Sequence, residues 1–498
     1  MSLSFAGRRV TVMGLGTFGG GLGAVRFLVA RGASVTVTDL RPESALARSL
    51  EQLAETPPAR FRLGGHDPRD FEEADLVVVS PAVPRDSPWL ERARSAGVAI
   101  TSEIELFWQL NRGRVLAITG SNGKSTTTAL AHALLTQAWR ADVPCASPQS
   151  GFRPARVWRG GNIGHSLLPE VDAIQPTDWV VLELSSFQLE TLAPLGPRPQ
   201  IAVVTNFSPN HLDRHGTLTA YRAAKQTLLN HQAASDWSVR NADDPDVAHW
   251  PSAARPLWFS LHDRAGEGVF WQARQQVAIA RSGGREWQWP LREWTRLPGE
   301  HNLANLLAAL AATLPGDPRD TELREAIQGF PGLPHRLEEV AHRGELRFVN
   351  DSKSTTPAAS ALAVASFNQP VVLLAGGYDK QIDLAPLAEC ATAGHVCGVA
   401  WLGQTGPQLA TLLERMKIDR PLPRRVCSDL PSAVTWAIAQ LPRDEQGAPR
   451  GVVLLSPGSA SYDWFENYEA RGEQFRALAR EWLDHSATCP DTTPERGP

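Results

Sequence analysis

Between the apolar run Val115 to Thr119 and a helical pattern that opens at Ser125, the chain reads Thr119-Gly120-Ser121-Asn122-Gly123-Lys124-Ser125-Thr126. A strand that turns through glycines straight into a helix belongs to an α/β layer, with its backbone amides gathered at the helix start. Lys124 and Ser125 give that turn a chemistry. The lysine would neutralise β- and γ-phosphates, the hydroxyl would serve Mg2+, and Gly120, Asn122, Gly123 and Thr126 would line the cradle. The six-residue spacing of the longer phosphate loop is absent, because Ile118 stands five positions before Gly123. The motif therefore points to ATP through a shorter variant. A glycine turn used only for packing would give Lys124 and Ser125 no reason to stand together.

A second glycine turn, Gly14-Leu15-Gly16-Thr17-Phe18-Gly19, follows the strand-like Arg9 to Met13 and precedes a helical pattern from Gly20 to Ala30, with Asp39 twenty residues past Gly19. Amides at that helix start would hold a diphosphate, and Asp39 would sit near a sugar hydroxyl. Taken alone, the pattern favours a nicotinamide dinucleotide. The other reading is a tight turn whose glycines serve packing only.

At 498 residues the chain has room for about three domains. Three regions of alternating strand-like and helix-like segments divide it. The expected domains are 1–102, 103–332 and 333–485, followed by a disordered tail from 486 to 498; the Pro/Gly stretch 330–334 marks the second boundary. Proline-rich residues 140–158 read as a surface insertion. Trp250, Trp258, Trp271, Trp287, Trp289 and Trp294 read as packing within a β-rich subregion.

A net charge of −4 offers no positive field to hold nucleic acid or anionic lipid. Apolar runs such as Val452 to Leu455 are far shorter than the roughly 20 residues that cross a bilayer. Glycines 14 to 23 interrupt any N-terminal export signal. The five scattered cysteines form no C-x-x-C pair and suit neither a disulfide framework nor a zinc site, so a reducing cytoplasm is expected.

Two further strand ends carry phosphate-active groups. Glu183 closes the apolar strand beginning at Trp179 and is placed to bind Mg2+, while His211 and Asp213 follow the strand Ala202 to Thr205. Singly, each such residue is more often a cap or a solvent-facing group; together they mark one edge of one sheet.

The segments Gly-Ser-Asn-Gly-Lys-Ser-Thr at 120–126, Gly-Gly-Asn-Ile-Gly at 160–164, Glu-Leu-Ser-Ser-Phe-Gln-Leu at 183–189, His211-Leu-Asp-Arg and Tyr221-Arg-Ala-Ala-Lys225 resemble those of the Mur ligases of peptidoglycan synthesis. So do His301-Asn302, Leu333-Pro334-His335-Arg336, Asn350 to Thr355, Gly376 to Lys380 and Ser456 to Ser461. The resemblance implies an α/β fold of three domains: N-terminal Rossmann-like, central P-loop ATPase-like with a parallel sheet, and C-terminal Rossmann-like. It gives the first glycine loop a UDP-sugar instead of a nicotinamide, with Thr17, Asp39, Arg41, Asn162 and Ser185 on the UDP-substrate. It implies Lys124, His211 and Lys225 as catalytic groups, Ser125, Glu183, His211 and a carbamylated Lys225 around Mg2+, and Asn302, Arg336 and Asp351 on ATP.

Lys353, Thr355, Lys380, Ser461 and Tyr468 then match positions around the incoming amino acid; Tyr468 and the Thr17-Phe18 pair depart from the residues common in the family. The implied substrates are UDP-N-acetylmuramoyl-L-alanine and D-glutamate, joined by a cytoplasmic monomer; L-glutamate or another amino acid is the alternative.

Overall fold

Every strand at the heart of the fold is a short run of β-branched and aliphatic residues buried on both faces, the pattern of a parallel sheet covered by helices. The computed structural model describes residues 4–16, 19–137, 155–416 and 418–487. Thr17, Phe18, Cys145, Cys489 and residues 140–154 of the expected insertion lie outside them, as does the Asp213 side chain. Contacts group the chain into two units: Met1–Thr295 with Ala304–Phe330, and Arg296–Leu303 with Pro331–Pro498.

The first unit holds two sheets. One comprises β1 (Arg9–Met13), β2 (Ser34–Asp39), β3 (Arg60–Leu63), β4 (Leu76–Val79) and β5 (Ala99–Thr101), all parallel, in the order β3-β2-β1-β4-β5. The chain reverses its direction of travel between β1 and β4, so the loops after these strands open a crevice at their carboxyl ends.

The other sheet runs from β6 (Arg114–Thr119) through β7 (Val157–Gly161), β8 (Trp179–Glu183), β9 (Ile201–Val204), β10 (Trp237–Asn241), β11 (Arg255–Ser260) and β12 (Gly268–Gln272) to β13 (Val277–Ser282) and β14 (Arg285–Trp289). Its order is β14-β13-β12-β11-β10-β9-β6-β8-β7, antiparallel only at the β12-β13-β14 end. Here β6 lies between β8 and β9, with Ile118 beside Glu183 and Thr119 beside Val204. Three loops therefore leave the same edge side by side. One apolar core spans both sheets, from Val12, Phe27 and Leu28 through Phe107 and Leu168 to Leu182 and Val204.

The second unit is a sheet of β15 (Glu338–Arg343), β16 (Leu346–Asn350), β17 (Val371–Gly376), β18 (Val396–Leu402), β19 (Arg424–Val426) and β20 (Gly451–Leu455), in the order β15-β16-β20-β17-β18-β19. Only β15 is antiparallel. The central position of β20 brings the loops after β16, β17 and β20 together at one edge. Among the described residues no helix is long and apolar enough to cross a membrane.

In the first sheet the structure adds two strands that periodicity did not mark, β3 and β5, both short and partly exposed edge strands; elsewhere it adds β7, β10 to β15 and β19. The expected insertion ends sooner than residue 158, because Val157 and Trp158 enter β7 and the buried Trp158 donates from Nε1 to Asp178 at 3.0 Å. The last helix runs from Tyr468 to Ala487, two residues into the stretch expected to be a tail. The tryptophans pack: Trp250, Trp271, Trp289 and Trp294 are buried, with Trp250 and Trp289 donating to Asp246 and Asp320.

Candidate active site

The phosphate loop of the central sheet is held from beside, by the loop after β9. Thr205 Oγ1 donates to the Asn122 carbonyl at 2.6 Å, Asn122 N–H donates to Asn206 Oδ1 at 2.8 Å, and Ser208 N–H donates to Ser121 Oγ at 2.9 Å. Gly120 is required here: its φ is 149°, and a Cβ would stand 1.9 Å from Thr205 Oγ1. The helix Lys124–Gln137 follows at once, so its first-turn amides and positive dipole end face the loop. A phosphate would meet these amides together with the Lys124 amine, which folds back onto the carbonyls of Gly120 and Ser121 at 2.9 and 3.0 Å.

Lys225 reaches the same carbonyl from the helix Leu218–Asn230, its Nζ donating to Gly120 O at 2.8 Å. It is 1% exposed, with its amine 4.6 Å from the centre of the Tyr221 ring, one turn earlier on the same helix face. Burial first, and the Lys124 charge second, push its pKa down to about 6, against the pull of Glu183. At neutral pH this amine is mostly uncharged, and an uncharged amine is a nucleophile. The Tyr221 hydroxyl meets Ser121 Oγ at 3.1 Å, and its ring stacks on Phe207, tying helix to loop.

Glu183 is buried at the end of β8. Its Oε1 accepts from Asn162 Nδ2 at 2.9 Å, whereas Oε2 is buried with no hydrogen-bond partner. A buried carboxylate oxygen left so is costly in a finished protein and suits a cation that arrives with the substrate. Among the described residues no three His, Cys, Asp or Glu side chains form a metal cage by themselves. Mg2+ does not need one, since it keeps waters and substrate phosphate oxygens and takes only one or two carboxylates from the protein. Glu183 and the Ser125 hydroxyl are hard oxygen donors that fit it.

His211 lies on the loop after β9 with φ 52°, a left-handed conformation uncommon outside glycine. Its ring packs edge-on to Phe187, 5.0 Å away. His215 stacks on the same Phe187 and hydrogen-bonds Ser186 Oγ at 3.0 Å. Arg214 reaches across to the β4 loop, donating to Val83 O at 3.0 Å. Ser185 caps the helix Ser186–Leu192 in a reciprocal capping box with Gln188.

In the first sheet Asp39 is already engaged. Its Oδ2 accepts from Leu15 N–H at 3.0 Å and its Oδ1 from Arg41 N–H at 3.0 Å, while the Arg41 guanidinium pairs with both oxygens. Sequence spacing assigns this carboxylate to a sugar hydroxyl; in the structure it also fastens the glycine turn. Burial pulls its pKa up, but the hydrogen bonds and charge of Arg41 and the Gly16 amide outweigh that and hold it below 3.8. Its contribution to stability is therefore complete above pH 3.8 and is lost as pH falls through the lower folded value. Asp39→Ala is expected to cost about 1–3 kcal/mol by stranding the Leu15 amide. In denaturant melts the deficit should be full at pH 7 and shrink in acid; a deficit independent of pH would refute this role.

In the second unit Asp351 is buried after β16, accepting from Ser456 Oγ at 2.7 Å and Leu337 N–H at 3.1 Å, and burial pushes its pKa up to about 6. Arg336 stands between His335 and Leu337, both at positive φ, with its Nε buried and without a hydrogen-bond partner. Asn302 is buried and donates to Pro298 O at 2.7 Å. Lys353 and Thr355 lie on the loop after β16, Lys380 is exposed after β17, and Ser461 is buried after β20. The Lys353 amine lies 5.7 Å from the centre of the Tyr468 ring.

Sequence reasoning missed Thr205, Asn206 and Tyr221 as loop supports and Asn162 as the partner of Glu183. The i to i+4 spacing of Tyr221 and Lys225 was a usable signal; the others follow only from strand order.

Residues 118–313 match the Mur ligase middle domain, and residues 8–102 match the Mur ligase MurD-like N-terminal domain. With these matches and its end-to-end relatives, the chain belongs to the Mur ligase family. Those relatives are more particular. It is 40% identical over 492 residues to the UDP-N-acetylmuramoylalanine--D-glutamate ligase of Roseiflexus sp. (strain RS-1), covering 96% of this chain and 99% of that protein. It is 39% identical over 477 residues to the enzyme of the same name from Geobacter metallireducens, covering 95% and 98%. Among solved structures, the UDP-N-acetylmuramate-alanine ligase of Thermotoga maritima shares the fold, with a TM-score of 0.56 at 18% identity over 97% of this chain and 99% of that one.

Proposed function

We propose that the chain is an ATP-dependent, ADP-forming ligase that joins D-glutamate to UDP-N-acetylmuramoyl-L-alanine in peptidoglycan precursor synthesis, acting as a cytoplasmic monomer. The observation that carries the substrate assignment is the likeness, over 96% of the chain, to a relative named for that reaction. In this reading residues 1–102 take the UDP-substrate, 103–332 hold ATP, and 333–485 serve the amino acid and ATP.

The substrate carboxylate attacks the γ-phosphorus of ATP, ADP leaves, and an acyl phosphate forms. The glutamate amine then attacks the acyl carbon and phosphate departs, leaving an amide. Such chemistry needs positioning and charge stabilisation more than an enzyme nucleophile. Lys124 and the amides of the helix start hold the transferring phosphoryl group. Lys225, uncharged, adds to CO2 through its amine and releases a proton, turning a cation into an anionic oxygen donor. Ser125, Glu183, carbamylated Lys225 and His211 would hold Mg2+, which supplies positive charge to the phosphate oxygens when bound. Asn162 keeps Glu183 oriented, and Arg336, Asn302 and Asp351 take the nucleotide. Thr17, Asp39, Arg41, Asn162 and Ser185 serve the UDP-substrate side. Lys353 and Lys380 offer two cations to the two carboxylates of glutamate, with Thr355, Ser461 and Tyr468 beside them.

Phosphate release from ATP and Mg2+ with UDP-N-acetylmuramoyl-L-alanine is expected with D-glutamate and absent with L-glutamate or no amino acid. Release with L-glutamate would move the specificity to the alternative reading. Silence in all three would refute the substrate assignment.

A further inference from the structure

The helix Tyr468–Ala487 sends one guanidinium back beneath the loops at the carboxyl edge of the second unit's sheet. Arg471 is 2% exposed, yet none of its hydrogen bonds goes to a carboxylate. Its Nε donates to Ser352 Oγ and its Nη2 to Ser352 O, both at 2.9 Å; Nη1 donates to the carbonyls of Ser459 and Ala460, both at 3.2 Å. A buried arginine ordinarily has an ionic partner, because desolvating the charge is costly. Burial draws its pKa down to about 10, with Asp463 and Asp351 opposing, so it remains a cation at neutral pH.

What the fold obtains for that cost is registration of three loops. Ser352 immediately precedes Lys353 and stands three before Thr355, and Ala460 immediately precedes Ser461. The loop that carries Lys380 rests on the same carbonyl: Tyr378 N–H donates to Ala460 O at 2.9 Å. A Cβ on Gly377 would lie 2.2 Å from Ala460 O and 3.2 Å from Arg471 Nη1, so this approach tolerates only glycine. Ser352 Oγ also donates to Tyr468 O at 2.8 Å, joining the helix start to the set. A planar fork with fixed donors can set the spacing of two backbone segments; an ammonium on a flexible stem cannot.

We propose that Arg471 is the positioning residue of the amino-acid site, fixing Lys353, Thr355, Lys380 and Ser461 relative to one another without touching the amino acid. This rests on the assignment of those four residues to the incoming glutamate. In the full-length enzyme, Arg471→Lys keeps the charge and loses the fork. It is expected to raise the KM for D-glutamate about tenfold or more, leaving the KM values for ATP and UDP-N-acetylmuramoyl-L-alanine and the melting temperature near wild type. Arg471→Met should raise the KM for D-glutamate further.

An unchanged KM for D-glutamate in folded Arg471→Lys overturns the proposal. So does a parallel rise in all three KM values with a lower melting temperature, which marks a general structural role. Should both variants fail to fold, Ser352→Ala removes the Nε acceptor together with the hydroxyl's bond to Tyr468 O, keeps the other bonds of Arg471, and is expected to raise the same KM about threefold; no rise there is equally fatal. A wild-type enzyme that releases phosphate but ignores D-glutamate overturns the functional reading instead.

Discussion

Replacing Lys124 with alanine is expected to lower ligase turnover about a thousandfold or more while the protein stays folded, the loss typical of removing a charge that stabilises a transferring phosphoryl group. The amine sits at the start of a 14-residue helix and is held on two carbonyls of its own loop, so it is aimed at the cradle before ATP arrives. The loop does not depend on it. Thr205, Asn206 and Ser208 hold the backbone from the neighbouring strand, which is why the variant should melt near the wild-type temperature. Lys124→Arg should recover little, since a planar fork does not replace a compact ammonium on that stem. Phosphate release under saturating substrates is the measurement; turnover within tenfold of wild type would remove Lys124 from the mechanism. A nicotinamide enzyme built on the first glycine loop would be indifferent to the change.

Lys225→Met should abolish turnover and stabilise the protein, a pairing that separates a functional burial from a structural one. In the unmodified chain the lysine is buried on all sides, and its folded pKa near 6 against an ordinary 10.5 means that the native state resists the charge. The sign follows: between those values the unfolded chain binds more protons, so this site's penalty is full below about pH 6 and fades as pH rises toward 10.5. Methionine removes the penalty and keeps the volume, with a gain on the order of 2 kcal/mol at neutral pH. Wild-type enzyme in bicarbonate buffer should carry the mass of one added CO2 per chain in native mass spectrometry, lost on acidification and absent from the variant. An active Lys225→Met, or wild type without that mass in bicarbonate, would sink the carbamate.

The sequence showed β1, β2, β4, β6, β8, β9, β16, β17, β18 and β20, because each is a largely apolar run whose local pattern needs no partner to be recognised. It showed both glycine turns for the same reason. Strands β3, β5, β7, β10 to β15 and β19 escaped: β3, for one, carries Arg60 and Arg62 in a half-exposed segment, and their pairing with the buried Asp70 exists only once the sheet is formed. Of the site, Lys124, Ser125 and Glu183 were legible as strand-end or helix-start residues, whereas Lys225 and Asp351 rested on resemblance.

Alone, then, the amino-acid sequence determined the α/β class, the phosphate loop and the order of its regions, since these are written in neighbouring residues and their periodicity. Strand order belongs to the tertiary structure. Placing β6 between β8 and β9 sets Glu183 beside the phosphate loop, and the same packing carries Lys225 across 105 residues to the carbonyl of Gly120. It also commits Asp39 to its own glycine turn and buries Arg471 under three loops. Such contacts depend on how whole helices and sheets cover one another's apolar faces, a free energy summed over the core that no local window of residues contains.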